Sequence, residues 1–281
     1  MIDIKLLKVS HGTSREARKL LPYIQEADVW CPENAASTED EAVMNEKTWQ
    51  GFLSSGWNRS RFEKDLDRDL SSQNMETQAR DYVKTEKSYL YRNKKTIWHL
   101  ERFSSERSRE LLEAEAKRER QFEESVYHLE KGNVKTFLDS HANILRSEII
   151  DIEIRDREVA RNIDRAEQEI RKTFPQFEKR DIIYLRGYIG SLHQPEKYSR
   201  LLSNGAIINL PEDSKTLADR LDYAIMEGKI GTTEMEELTL RYGVFVLIKN
   251  GRLDMAIRDV EEMSFEDLVK KIERKSGGVK L

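Results

Sequence analysis

Short apolar runs near the two ends of the chain predict the strands of a small sheet. Residues 2–9 and 27–31 form the first two runs, and residues 181–189 and 205–210 form two more after a long interval. Runs of this length, bounded by turn residues, are typical of buried strands. Apolar residues three and four positions apart over residues 14–25 predict a helix between the first two strands. A strand, a helix and a strand in close succession are typical of a parallel crossover unit.

The long middle of the chain, residues 39–180, has a different pattern. It is rich in Glu, Arg, Lys and Gln, poor in Gly and Pro, and its apolar residues recur at three- and four-residue steps. This pattern predicts several helices, with breaks near residues 51–56, 104–105 and 132. The helical pattern returns after Pro211.

These elements predict an α/β fold that is dominated by helices, with a small, mostly parallel sheet, flanking helices and a large helical insertion. We expect one α/β domain over residues 1–281. Its predicted parts are core strands within 1–38 and 181–211, a helical insertion over 39–180, and C-terminal helices over 212–281.

Composition narrows the classes of partner. The chain has 48 Lys and Arg against 52 Asp and Glu, with acids interspersed nearly everywhere, which predicts no nucleic-acid partner. No apolar stretch approaches the roughly 20 residues that span a bilayer. The chain opens on a strand-like run without a targeting pattern, so we expect a cytoplasmic protein with no membrane partner.

The single cysteine, Cys31, excludes an intrachain disulfide. The charged helices are candidates for the interface of a homo-oligomer.

Two histidines follow predicted strands in the same way. His11 comes directly after the first strand and is followed by the small residues Gly12, Thr13 and Ser14. His193 comes after the third strand in a second Gly- and Ser-containing turn. In each case a strand ends, a turn of small residues carries one imidazole, and a helical pattern follows. Small residues at such a turn let a ligand approach the backbone.

Glu33 is the candidate carboxylate, because it follows the end of the second strand. In open α/β sheets, ligands bind beyond the carboxyl ends of the strands. Two histidines and a carboxylate form a metal site with open positions, or serve as general base and acid without a metal. Arg157 and Arg161, one helical turn apart, are candidates for binding a carboxylate or phosphate of a substrate. Surface salt bridging is the alternative for both arginines.

The remaining histidines carry a weaker signal. His99, His128 and His141 lie in blocks with the helical pattern and have no partner at metal spacing. We expect them to pack in the core or on the surface. Cys31, at a strand end, is expected to be buried rather than nucleophilic.

Taken together, these residues resemble the superfamily of Tiki-type and TraB-type proteins, with the erythromycin esterase-like and ChaN-like proteins as relatives. Members carry a first strand that ends in a Gly/His motif and a second strand that ends in Glu, matched here by residues 11–14 and Glu33. They also carry an Arg-Asn helix, similar to residues 161–166 (RNIDRA), and a Gly-x-x-His motif, similar to Gly190 and His193. The order His-Gly-Thr is closer to the esterase-like version.

The resemblance covers residues 2–40 and 155–210, and it departs from the pattern at one position. Lys8 stands where the Tiki pattern has Gly and the esterase-like pattern has Glu. The relatives include proposed metal-dependent peptidases, an esterase and a heme-binding protein, so fold analogy alone does not select an activity.

The leading hypothesis is a hydrolase, a peptidase or esterase that cleaves an amide or ester of a small molecule or peptide. His11, Glu33 and His193 are its predicted catalytic residues, and they are also the ligands of a divalent metal (Mn, Co or Zn) in the metal-dependent version. The metal-free version has no cofactor. Arg161, Ser14 and Thr13 are the predicted substrate-binding residues.

Two alternatives belong to other functional classes. The first is a non-catalytic ligand-binding or regulatory protein, which uses the same cleft for a peptide or heme and its helices to contact a protein partner. The second is an interaction scaffold that uses the helical block alone.

Overall fold

The structure, a computed structural model, describes residues 1–9, 14–32, 38–56, 58–72, 77–190, 205–209, 217–226 and 229–276. The strands in these ranges are β1 (Ile2–Val9), β2 (Val29–Cys31), β3 (Thr96–Ile97), β4 (Ile183–Gly190) and β5 (Gly205–Asn209). The helices are α1 (Ser14–Lys19), α2 (Leu21–Glu26), α3 (Glu39–Ser54), α4 (Arg59–Ser72), α5 (Thr77–Arg92), α6 (Ser105–Glu130), α7 (Val134–Thr173), α8 (Leu217–Met226), α9 (Thr233–Lys249), α10 (Ile257–Glu262) and α11 (Phe265–Ser276). Helices dominate an α/β fold with a small parallel sheet, which confirms the predicted fold class.

The five described strands form one sheet in the order β3-β2-β4-β1-β5, and each neighbouring pair is parallel. The first two strands are parallel, as the crossover pattern predicts, but they are not neighbours. Strand β4 lies between them, although it follows β2 by about 150 positions in the chain. The centre of the sheet is therefore completed by a strand from far along the sequence.

Strand β3 lies within residues 39–180, where the sequence pattern predicted several helices and no strand. Residues Thr96–Ile97 pair with Val29 and Trp30 of β2, and the irregular segment around them separates α5 from α6. Two strand residues give no period that a sequence pattern can reveal. The pairing with β2, which lies more than sixty residues earlier, stabilises the strand.

The sheet buries both of its faces, because side chains alternate along each strand. Ile4 and Leu6 of β1 face one hydrophobic cluster, while Leu7 faces the other. On the first face, α7 contributes a stripe of apolar residues at three- and four-residue steps: Val159, Ile163, Ala166 and Ile170. The second face is covered by apolar residues of α1 to α5, with Trp30 of β2 at its centre.

Gly187 allows β2 and β4 to approach closely. It stands opposite Cys31 in the sheet, and a Cβ atom at this position would lie 2.5 Å from the Cys31 carbonyl oxygen. That distance is well inside van der Waals contact, and the carbonyl belongs to the backbone and cannot rotate away. The close pairing of β2 with β4 at this position therefore requires glycine.

The chain divides into two compact units. Unit 1 comprises Met1–Arg109 with Glu153–Asp213 and contains the sheet, and unit 2 comprises Glu110–Ile152 with Ser214–Leu281. In unit 2, buried residues of α6, α7, α9 and α11 form a third hydrophobic cluster, which includes Leu129, Phe137, Val244 and Leu268. The single domain expected over residues 1–281 stays a prediction. Within the described ranges, none of the helices combines the length and the apolar character that a membrane-spanning segment needs.

Candidate functional site

The carboxyl ends of three adjacent strands point to one edge of the sheet, which we call the carboxyl edge. Val9 of β1 pairs with Gly190 of β4, and Cys31 of β2 pairs with Gly187 of β4. Because all pairs are parallel, the three chains leave the sheet on the same side. These are the strands that His11, Glu33 and His193 follow in the sequence.

Most of the predicted site residues lie outside the described residues. His11, Thr13, Glu33 and His193 are among them, and Ser14 is described only as the first residue of α1. Their assignment as catalytic, metal-binding and substrate-binding residues stays a prediction. The structure describes the strand ends that precede three of them.

Arg161 is the predicted substrate-binding residue whose side chain the structure describes. It lies on α7 with 70% of its side chain exposed, and it forms an ion pair with Glu158 one turn earlier. Within the described ranges, this is the alternative expected for a surface arginine. The next residue, Asn162, is buried and donates to the Leu100 carbonyl oxygen at 2.6 Å. In this Arg-Asn pair, asparagine is the residue that faces the protein interior.

A buried polar network, which the sequence patterns missed, follows the carboxyl end of β3. Glu46 of α3 accepts hydrogen bonds from the His99 amide at 2.8 Å and from the Arg102 guanidinium at 2.5 Å. His99 Nδ1 lies 3.3 Å from the same Glu46 oxygen. Arg102 also donates to Glu39 at 2.7 Å, and its Nε donates to the His99 carbonyl oxygen at 2.8 Å. Glu46, His99 and Arg102 are each no more than 5% exposed.

Opposite charges and an aromatic face stabilise the Arg102 guanidinium in this buried position. Its central carbon lies 4.6 Å from the centre of the Trp98 ring, within the range of a cation–π contact. Glu39 also accepts a hydrogen bond from a second guanidinium, that of Arg165 on α7, at 2.9 Å. A buried ionised side chain is tolerated when it is paired and hydrogen-bonded, as Arg102 is here.

The Cys31 thiol is buried in the hydrophobic core beside this network. Burial raises the pKa of Cys31 well above its ordinary value, the Glu46 carboxylate raises it further, and the Arg102 guanidinium acts in the opposite direction. The thiol is therefore protonated at neutral pH and is not a nucleophile. The Trp98 amide donates to the Trp30 carbonyl oxygen at 2.9 Å, so the segment that carries the network lies close to the end of β2.

A second buried carboxylate lies on the opposite face of the sheet. Glu86 of α5 accepts from the Trp30 indole nitrogen at 2.7 Å and from the Tyr188 hydroxyl at 3.2 Å. Trp30 is next to the last residue of β2, and Tyr188 lies two residues before the end of β4. Both faces of the sheet therefore carry a buried carboxylate near the carboxyl edge.

The sequence held a weak signal for the first network. In residues 96–103 (TIWHLERF), His, Glu and Arg stand within a short run that also contains Trp, Leu and Phe. Buried polar residues in such a run need partners, and Glu46, the partner of His99 and Arg102, is 53 positions away from His99. The expectation that His99 lies in a helical block was wrong, because the residue follows strand β3.

The described residues contain no group of three or more His, Cys, Asp or Glu side chains placed to hold a metal ion. The predicted metal ligands lie outside those ranges. Comparison of the chain with protein-family models, with curated proteins and with solved structures finds no match.

Proposed function

We propose that this protein is a hydrolase that cleaves an ester or an amide at the carboxyl edge of the sheet. The supporting observation is the strand order β2-β4-β1 with every pair parallel, since Glu33, His193 and His11 follow these three strand ends in the sequence. Neighbouring parallel strands deliver the residues that follow them to the same side of a sheet.

In this proposal, His11, His193 and Glu33 bind a divalent metal and leave positions open for water and substrate. Two imidazoles and one carboxylate are a donor set that suits Zn²⁺, Co²⁺ and Mn²⁺. A bound divalent ion supplies Lewis acidity and lowers the pKa of a coordinated water. In the metal-free version, His11 or Glu33 accepts the proton of the attacking water.

Substrate binding is assigned to Thr13, Ser14 and Arg161. The guanidinium of Arg161 is solvent-exposed and is held by one exposed ion pair, which costs little to break. It is therefore available to pair with a carboxylate of a peptide or a small acid. The chemistry of the site fits small esters and peptides, and we propose these as the substrate class.

The test is hydrolysis of a panel of chromogenic esters and peptides by metal-free protein and by protein reloaded with Mn²⁺, Co²⁺ or Zn²⁺. We expect turnover by the wild type, and loss of that turnover in His11→Ala, Glu33→Gln and His193→Ala. His128→Ala is the matched control, because His128 lies on α6 in unit 2 and the sheet belongs to unit 1. Activity that survives all three substitutions contradicts the proposal. Metal binding without turnover of any panel member favours the ligand-binding alternative.

A further inference from the structure

A cavity of about 360 Å³ lies between α7 and the start of α9. The two helices are in close contact further along α9, where a Cβ on Gly243 would lie 2.4 Å from the Phe137 ring. Between residues 138–146 of α7 and residues 230–239 they leave a space of the size that holds a small ligand. All residues that line the cavity belong to unit 2, whereas the carboxyl edge of the sheet belongs to unit 1.

Apolar side chains line much of this cavity. Leu145 and Met235 are buried, and Leu138 and Ile230 are half-buried. Between them, Ala142 contributes only a methyl group, which leaves space on the α7 side. Because apolar surface is driven out of water, such a wall favours a ligand with aliphatic or other apolar groups.

The same wall carries opposite charges that do not neutralise each other. Glu236 and Arg146 both line the cavity, both are described and exposed, and they do not form an ion pair with each other. Arg146 donates to the neutral Asn143 side-chain oxygen at 2.9 Å and keeps further guanidinium donors. Asp139, the other charged residue of the wall, is already paired with Lys135 at 2.7 Å. A ligand that carries both an ammonium and a carboxylate therefore matches the wall.

The dimensions of the wall limit the length of the ligand. Residues 138–146 of α7 span about 12 Å at roughly 1.5 Å per residue. An extended peptide covers roughly 3.5 Å per residue, so about three residues match this length. The Asn143 amide and the hydroxyl of Thr239, a residue that is 3% exposed, also line the cavity and offer hydrogen bonds to the peptide groups of such a ligand.

We propose that this cavity binds a short apolar peptide of about three residues with both termini free. The ammonium of the peptide pairs with Glu236, its carboxylate pairs with Arg146, and its apolar side chains pack against Leu145 and Met235. A single amino acid spans only about a third of the α7 wall. The site is independent of the proposed hydrolase activity, because none of its residues belongs to unit 1.

The test is a calorimetric titration of the full chain with the tripeptide Ala-Leu-Ala and with its N-acetylated and C-amidated forms. The titration is repeated in His11→Ala, so that hydrolysis at the proposed active site does not consume the probe. We expect acetylation and amidation each to weaken binding by about two- to fivefold, the value of one partly exposed ion pair. Free leucine should bind more weakly than the tripeptide.

Two charge variants assign each end of the peptide. Glu236→Gln should bind the free and the acetylated peptide equally and should still prefer the free peptide over the amidated one. Arg146→Gln should show the reverse pattern, because it removes the partner of the carboxylate. Blocked termini that do not weaken binding to the wild type, or effects of blocking that persist unchanged in both variants, overturn the proposal.

A third variant tests the location of the site. Ala142→Phe places a ring in the cavity and should abolish binding of Ala-Leu-Ala. Ala114→Phe is the matched control, because Ala114 is also a half-buried alanine of unit 2 but lies on α6 and does not line the cavity. Binding that survives Ala142→Phe, a wild type that does not bind the tripeptide at millimolar concentration, or equal affinity for free leucine overturns the proposal. Peptide binding that persists in His11→Ala supports this site whether or not the hydrolase activity is found.

Discussion

Two histidines of this chain are equally buried and have opposite surroundings. His99 in unit 1 is 5% exposed and is held by a carboxylate that is itself paired with a guanidinium. His141 in unit 2 is 4% exposed and packs between the rings of Phe122 and Phe137, with centroids at 5.7 and 5.8 Å. Within the described residues, neither ring nitrogen of His141 has a hydrogen-bond partner.

The difference shows that burial alone does not give a histidine a chemical role. Burial lowers the pKa of His141 to about 4, so this ring stays neutral and serves as a packing element. His99, in contrast, has a polar partner, because the Oε1 atom of a carboxylate 53 positions away lies 3.3 Å from its Nδ1. The two histidines therefore differ in the charge of their neighbours and not in how deeply they are buried.

We expect the largest effect on stability from Glu46→Ala, which removes the carboxylate that distinguishes the surroundings of His99 from those of His141. Removing the carboxylate leaves the buried Arg102 guanidinium without its shortest ion pair and leaves the His99 amide without its acceptor. We expect a loss of about 3–5 kcal/mol in the free energy of unfolding, measured in urea.

Glu39→Ala is the matched control for Glu46→Ala. Glu39 binds the same guanidinium, but its side chain is 44% exposed, so the loss should stay below about 1 kcal/mol. Equal losses in the two variants would show that burial of the carboxylate does not matter to this network.

The second prediction concerns the pH dependence of unit 2. The pKa of His141 is depressed to about 4 in the folded chain, and the unfolded chain has the ordinary value near 6.5. The unfolded state therefore binds the proton first, and stability is lost as the pH falls from about 6.5 to about 4. This one group should cost about 2–3 kcal/mol by pH 4.5.

His141→Leu removes the titrating group and keeps an apolar side chain of similar bulk. Unfolding free energies at pH 7 and pH 4.5 should differ by about 2–3 kcal/mol less in this variant than in the wild type. His128→Leu, on an incompletely buried residue of the same unit, is the control for the substitution itself. A His141→Leu protein with the wild-type pH profile would refute the packing role.

The third prediction extends the comparison to a glycine in each unit. Gly187→Ala should cost about 1–3 kcal/mol or more, because the new Cβ would lie 2.5 Å from the backbone oxygen of Cys31. In Gly243→Ala of α9, the Cβ would meet the side chains of Phe137 and Leu129, which can shift, and alanine also favours the helix. We expect the smaller loss for Gly243→Ala in thermal unfolding. A larger loss for Gly243→Ala than for Gly187→Ala would mean that β2 and β4 move apart more easily than the side chains around Gly243 do.

The smallest effect is expected for Arg161→Ala. Its exposed ion pair with Glu158 should contribute no more than about 0.5 kcal/mol to stability. The adjacent Asn162→Ala should cost about 1–3 kcal/mol, because the buried Leu100 carbonyl oxygen loses its donor. Thermal unfolding of both variants tests the contrast, and a large loss in Arg161→Ala would indicate partners beyond Glu158.

Much of the fold was predictable because its signals are local. The apolar runs over residues 2–9 and 181–189 predict β1 and β4, and the three- and four-residue steps of α7 define its buried stripe. The break at Gly132 was also predictable, since this glycine takes a positive φ of 77° between α6 and α7. Each of these features depends on residues only a few positions apart.

The candidate site was predictable only as a set of strand ends. The sequence places a histidine or a glutamate after β1, β2 and β4, but it does not reveal that β4 lies between the other two. It also did not reveal which of His99, His128 and His141 has a carboxylate partner. His99 differs through Glu46, and that contact joins a helix to a strand end across 53 positions.

The sequence by itself therefore determined the kinds of element and the residues that end the strands. The tertiary structure alone decided the strand order, the burial of Glu46, and which residue of the pair Arg161 and Asn162 faces inward. The physical reason is the range of the interactions. Hydrophobic periodicity acts over one or two helical turns, whereas strand pairing and buried ion pairs depend on partners that only the folded chain brings together.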